Sequence, residues 1–134
     1  MAILISDNEG MGMKVKESAE NYLETILVLS KKSGTVRSID VATEMNFTKA
    51  SISVAMKRLR EEGYITVEKD GTLRLTEAGY EVAARVYERH QLIAKLLMAL
   101  GVDEKTAYED SCKIEHDLSK ESFEKIKAYY EQHL

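Results

Sequence analysis

Residues 48–75 read TKASISVAMKRLREEGYITVEKDGTLRL, and a change of texture inside this stretch decides the fold. In its first half Ile52, Ala55, Met56 and Leu59 recur at helical spacing, which gives one apolar face. Thr48 stands where a helix N-cap belongs, and Glu61-Glu62-Gly63 closes the helix. Lys49, Lys57, Arg58 and Arg60 make this helix basic, with no acid between Thr48 and Arg60. The second half is different. Tyr64 to Glu68 is β-prone, Lys69-Asp70-Gly71 is a turn, and Thr72 to Leu75 is β-prone again. Asp-Gly between two such runs is a hairpin signal. A hairpin directly behind a basic helix reads as a wing.

Upstream, Ser38 is placed to cap a short helix with Ile39, Val41, Ala42 and Met45 apolar, and Asn46-Phe47 breaks it. Two helices about three residues apart, the second of them basic, have the spacing of a helix-turn-helix. Residues 16–31 form a helix ahead of it, with Ala19, Tyr22, Leu23, Ile26, Leu27 and Leu29 apolar, ended by Lys31-Lys32-Ser33-Gly34. Downstream, Thr76 caps a long helix through His90 to about Leu100, and Gly101 ends it. Asp103 caps a helix over Glu104–Asp117, and Ser119 caps the last one, to about Gln132.

The expected class is therefore mainly α: a winged helix-turn-helix followed by an all-helical domain. The expected divisions are an N-terminal extension at 1–13, a DNA-binding domain at 14–75 and a helical domain at 76–134. The helical part is too small to bury much apolar surface alone, so Ile93, Leu96, Leu97, Leu100 and Ile114 either pack together or form a dimer seam.

Bulk properties agree. With 134 residues, 44% of them hydrophobic, a packed core is available and disorder is excluded. No apolar run reaches the roughly 18 residues of a membrane span. Met1 to Gly12 carries the short apolar piece Ala2 to Ile5 but lacks the basic start and long apolar run of a signal peptide. A single cysteine, Cys112, excludes an internal disulfide framework and fits a reducing cytoplasm.

The net charge of −4 is unevenly spread. Residues 14–75 carry 11 Lys and Arg against 9 Asp and Glu, whereas residues 76–134 carry 8 against 12. Screening limits each charge to roughly 8–10 Å in physiological salt, so a basic strip binds phosphate even on an acidic protein. The same strip is also what a solvated helix face looks like. If it meets DNA, the third helix enters the major groove by its N-terminal end. Thr48, Lys49, Ser51 and Ser53 then lie nearest bases or phosphates, and Arg37, Lys57, Arg58 and the wing-tip Lys69 contact the backbone.

In the fifth helix Cys112, Glu115 and His116 lie at i, i+3 and i+4 and share one face. Thiolate, carboxylate and imidazole together suit a divalent metal. The spacing arises equally from a buried Cys beside an ordinary Glu-His pair. His90 on the fourth helix is a further candidate ligand, or a hydrogen-bonded histidine at a helix interface. Asn21 and Glu24 place oxygens on one face of the first helix, which alone is only a polar stripe. His133 carries no assignment.

Several segments together resemble the metal-dependent repressors that include the diphtheria toxin repressor and the manganese transport regulator. They are Glu20-Asn21-Tyr22-Leu23-Glu24-Thr25-Ile26, Leu73-Arg74-Leu75-Thr76-Glu77-Ala78-Gly79, Arg89-His90-Gln91-Leu92, Leu100-Gly101-Val102-Asp103 and Cys112-Lys113-Ile114-Glu115-His116-Asp117-Leu118-Ser119. The resemblance covers about residues 16–132. It implies a winged helix with a metal-binding and dimerisation domain, and a dimer that represses metal-uptake genes when metal is sufficient.

Position by position, it makes Glu24, His90, Glu115 and His116 metal ligands. Cys112 stands where the iron-responsive branch has Cys and the manganese-responsive branch Glu. Asn21 falls where those branches place Met or Asp, which makes it a weakened ligand. Ala94 and Tyr108 replace a ligand Glu and a ligand His, against an ancillary site. The SH3-like domain of larger members is not expected here. Metal joining Glu24 to the ligands of the later helices would fix the recognition helices of a dimer for half-sites roughly 34–36 Å apart.

The expected function follows: a metal-responsive regulator, not an enzyme, binding double-stranded operator DNA as a homodimer, with no membrane and no small-molecule substrate as partner. A soft thiolate ligand favours Fe(II) over Mn(II), with Zn(II) or Co(II) binding in vitro. If Cys112 turns inward instead, the remaining oxygen and nitrogen ligands suit Mn(II). The alternatives are a metal-independent winged-helix regulator and, with less support, a small metalloenzyme. For the latter the chain offers no Gly-rich phosphate loop, nucleophile motif or His-Glu-x-x-His helix.

Overall fold

The computed structural model describes residues 7–134, with side chains from Glu17 onward. The apolar piece Ala2 to Ile5 and the first six residues of the expected extension lie outside the described residues. The elements are α1 (Asp7–Ser33), α2 (Ser38–Met45), α3 (Lys49–Glu61), β1 (Ile65–Val67), β2 (Leu73–Leu75), α4 (Glu77–Ala99), α5 (Glu104–Asp117) and α6 (Lys120–His133). The fold is mainly helical, with a small wing between α3 and α4. The chain forms two compact units, residues 1–84 and 85–134, and α4 runs through the boundary.

In the first unit α1 buries Leu23, Ile26 and Leu27, the spacing that marked it as a helix. It begins earlier than periodicity indicated, at Asp7 rather than near residue 16. Residues 7–10 hold no apolar side chain, so the sequence gives no packing signal where α1 begins.

α2 departs from expectation at its start. Ser38 is the first helical residue and not the cap; Arg37 holds the cap position in an extended conformation. The Asp40 carboxylate accepts the Arg37 backbone N–H at 2.9 Å, which satisfies the helix end without a hydroxyl. Asn46 ends α2 in the left-handed region at φ 57°, a conformation that Asn tolerates. Thr48 caps α3 as its position indicated: its Oγ1 accepts the Ser51 backbone N–H at 3.1 Å. α3 buries Ile52, Met56 and Leu59.

The wing is antiparallel, with Ile65 opposite Leu75, Thr66 opposite Arg74 and Val67 opposite Leu73. At its tip the Gly71 N–H donates to the Glu68 carbonyl at 2.9 Å, and the Asp70 carboxylate accepts the Thr72 N–H at 3.0 Å. Gly71 sits at φ 91°, where any side chain is strained. The base of the wing is anchored twice. The Leu73 N–H donates to the Val36 carbonyl at 2.7 Å, and the Thr76 N–H to the Tyr64 carbonyl at 3.0 Å. Thr76 also caps α4, its Oγ1 accepting the Gly79 N–H at 3.1 Å. Gly79 packs so closely that a Cβ there would fall 2.0 Å from the Tyr64 carbonyl oxygen.

The second unit comprises the later part of α4 with α5 and α6. Asp103 and Ser119 cap α5 and α6, each accepting a backbone N–H three residues on. Ile93 and Ala94 of α4, Ala107 of α5 and Phe123 of α6 are buried. Lys127 of α6 donates to Glu88 of α4 at 3.0 Å. Of the expected seam, Ile93 is buried and Leu96 and Leu97 are half-buried, whereas Leu100 and Ile114 are exposed.

Candidate metal centre and nucleic-acid interface

α5 turns its chemistry inward. Glu115 is only 3% exposed, and Cys112 and His116 flank it on the same face. α4 brings His90, also buried, to that face. One donor atom each from His90, Cys112 and His116 lies within 4.8 Å of the others, so the thiol faces the imidazoles. The two imidazole rings meet edge to face at 5.8 Å. Glu115 Oε2 is 3.0 Å from His116 Nδ1 and 3.6 Å from His90 Nε2, without the alignment of a full hydrogen bond. Burial pushes the Glu115 carboxyl up, but contact with His116 and then His90 outweighs it and holds the pKa at about 2.

A fifth residue belongs here that sequence reasoning passed over. Arg89 Nη1 is 3.6 Å from Glu115 Oε1, and its guanidinium lies 4.8 Å from the centroid of the Phe123 ring. Arg89 and Phe123 lie far apart in the chain, and the packing of α4 on α6 joins them. A carboxylate held between a guanidinium and two imidazoles is ionised and partly neutralised. One sulfur, two ring nitrogens and a carboxylate converging in a buried place suit a divalent transition metal. Tyr108 and Ala94 supply no further ligand: the Tyr108 hydroxyl donates to Gln91 Oε1 at 3.0 Å, and Ala94 is buried. Asn21 and Glu24 lie half-buried on α1 in the first unit.

The other candidate surface is all in the first unit. Arg37, Thr48, Lys49, Ser51, Ser53, Lys57, Arg58 and Lys69 are all exposed. Thr48 and Ser51 are bonded to each other as well as to the helix end, since the Thr48 hydroxyl donates to Ser51 Oγ at 2.9 Å. Arg37 Nη2 approaches Asp70 Oδ2 at 3.8 Å, so the start of α2 and the tip of the wing adjoin. The structure thus brings the Arg37 and wing-tip positions together and leaves the α3 cations exposed.

Comparison with known proteins bears on both surfaces. Residues 14–73 match the iron-dependent repressor N-terminal DNA-binding domain, and residues 76–133 match the metal-binding and dimerisation domain of the same repressors. The chain belongs to the iron-dependent repressor family. It is 34% identical over 120 residues to an uncharacterised HTH-type transcriptional regulator of Methanocaldococcus jannaschii, covering 88% of this chain and 96% of that one. It is also 34% identical over 109 residues to the HTH-type transcriptional regulator MntR of Lysinibacillus sphaericus, covering 81% and 78%. The manganese regulator SloR is a solved relative at 26% identity and a TM-score of 0.73. That match covers 83% of this chain and 52% of SloR, so the chain spans about half of that structure's length.

As an iron-dependent repressor the chain is a metal-dependent transcriptional regulator and not an enzyme. The two matched domains imply operator DNA and a second copy of the chain as partners. Among the described residues no helix is long and apolar enough to cross a membrane.

Proposed function

We propose that this repressor answers to Fe(II) in preference to Mn(II), through a centre made by His90, Cys112, Glu115 and His116. The observation that carries the reading is the Cys112 thiol, placed with the imidazoles of His90 and His116 within 4.8 Å. A thiolate is a soft donor, and Mn(II) prefers oxygen and stands lowest in the divalent affinity series. Cys112 would ligate as thiolate, His90 and His116 through neutral ring nitrogens, and Glu115 through its carboxylate, which is already ionised. The bound ion would supply the positive charge that draws these four donors together. Arg89 holds one Glu115 oxygen from the other side and limits how the carboxylate turns.

Metal and DNA then act as linked ligands: each raises the affinity for the other by the same factor. In cells this reading makes a switch that shuts off metal-uptake genes when metal is sufficient. The likeness to MntR of Lysinibacillus sphaericus favours a manganese reading, which requires that Cys112 contribute little to the bound state.

Cobalt substitution and a Cys112→Glu variant decide between the two. If iron is correct, the Co(II) protein shows a thiolate charge-transfer band that the variant loses. The variant also shifts its activation in a gel-shift assay toward Mn(II). If the native protein shows no such band and Mn(II) activates it as well as Fe(II), the iron assignment is wrong.

A further inference from the structure

The two oxygens of the buried Glu115 carboxylate have different neighbours. Oε2 meets the histidines, 3.0 Å from His116 Nδ1 and 3.6 Å from His90 Nε2. Oε1 has Arg89 Nη1 at 3.6 Å. The guanidinium is itself held, 4.8 Å from the centroid of the Phe123 ring, and the Arg89 side chain is only 13% exposed. A cation over an aromatic face is attracted to it, and a guanidinium does not deprotonate in proteins. Arg89, Phe123 and the four donor residues all lie in the second unit.

A fixed positive charge beside a cation site repels the ion that the site would hold. Arg89 therefore lowers metal affinity unless what it does to Glu115 offsets the repulsion. The number of donor atoms is what it can change. An ionised carboxylate gives a metal one oxygen or both. With both, Cys112, His90, His116 and Glu115 supply five donor atoms. With Oε2 alone they supply four.

We propose that Arg89 is a positioning residue that keeps Oε1 of Glu115 from the metal, and so sets the metal preference of the centre by donor number. A set of four donors suits ions that accept tetrahedral ligation, Zn(II) above all, whereas Mn(II) favours octahedral, oxygen-rich sets. Withholding an oxygen therefore counts most against Mn(II). Cys112 selects by the kind of donor and Arg89 by the count. The contact to Oε1 is through one nitrogen, so charge is the active property and the planar fork is not. The inference rests on the metal centre proposed above, but not on iron being its occupant.

The test uses the full-length protein, with Zn(II) and Mn(II) affinities measured by competition with a chelating dye. Arg89→Met removes the charge and keeps much of the length. It should narrow the preference for Zn(II) over Mn(II) about tenfold, the lower end for losing the partner of a metal ligand. With Co(II), the intense visible d–d bands of a four-coordinate ion should weaken in this variant while the thiolate band stays. Arg89→Lys keeps a cation beside Oε1 and should keep the native preference and band intensity.

An unchanged Zn(II) to Mn(II) ratio in Arg89→Met overturns the proposal, even if both metals bind more weakly, since that is what a merely structural role would give. So does an Arg89→Lys protein that matches Arg89→Met. If Arg89→Met does not fold, the native Co(II) spectrum decides: pale six-coordinate bands overturn the proposal and intense four-coordinate bands support it. The iron reading stands or falls separately, on the thiolate band. A Glu115→Ala protein that binds Zn(II) as tightly as the native chain ends the four-residue centre and this proposal together.

Discussion

Helices α3 and α5 begin alike and use their polar residues in opposite ways. Each is capped by a short side chain, Thr48 or Asp103, that accepts the backbone N–H three residues on at 3.1 Å. Beyond the cap they diverge. α3 turns its aliphatic stripe inward and leaves Lys49, Lys57 and Arg58 in water. α5 buries Glu115 and aims it at two histidines, while Lys105 and Glu109 stay outside. Charges in water cost little and act through a distant, salt-screened polyanion. A charge taken out of water costs several kcal/mol, roughly, and persists only with partners. The first kind of site tolerates substitution and fails in binding; the second fails in folding as well.

The comparison is tested hardest at Glu115. In metal-free protein Glu115→Ala should cost about 3 kcal/mol, the low end for breaking a buried ion pair, because Arg89 keeps some access to water. Urea denaturation measures this, and metal titration should show that the high-affinity site is gone. A loss below about 0.5 kcal/mol, the scale of ordinary surface substitutions, would mean the buried carboxylate stabilises nothing.

Cap removal should then affect both helices equally. Thr48→Ala and Asp103→Ala should each cost about 1 kcal/mol, measured in the same way. A marked inequality would show that the helices differ from their first turn and not only in their faces.

Smaller still in stability is Lys49→Ala, expected within about 0.5 kcal/mol of native. Its effect belongs to DNA binding: affinity falls for all sequences, and the slope against log salt flattens by about 1. Unchanged affinity and slope would place Lys49 off the interface.

Least of all is the wing-tip Asp70. Hydrogen bonding to Thr72 lowers its carboxyl pKa below 3.8. The hairpin contact is therefore present above that value and lost as pH falls through the lowered one. Asp70→Asn should leave native stability at pH 7 nearly unchanged, and NMR titration of Asp70 reads the shift directly.

What could be read from sequence was what lies within one helix or one turn. Thr48, Asp103 and Ser119 were legible as caps because a cap and its N–H are three residues apart. The Asp-Gly hairpin and the common face of Cys112, Glu115 and His116 were legible for the same reason. Ser38 misled, because Asp40 reaches back to Arg37 and satisfies the helix end from inside. α1 starts at Asp7, where no apolar stripe announces a helix. His90 was a candidate from the sequence, but only the packing of α4 against α5 puts it beside Glu115. The seat of Arg89 between Glu115 and Phe123 is tertiary and left no local mark.

Gly79 has a dynamic consequence. Its close approach is to backbone, the Tyr64 carbonyl, so no rotamer change can relieve a displacement of the α4 start toward the wing. Tyr64 is also tied to Thr76, and Thr76 in turn to Gly79 and Tyr80. The base of the wing and the first turn of α4 therefore form one mechanical piece. In native-state hydrogen exchange the amides of Thr76, Gly79 and Tyr80 should open together, with one common free energy, while the amide of Gly71 at the wing tip exchanges earlier and alone.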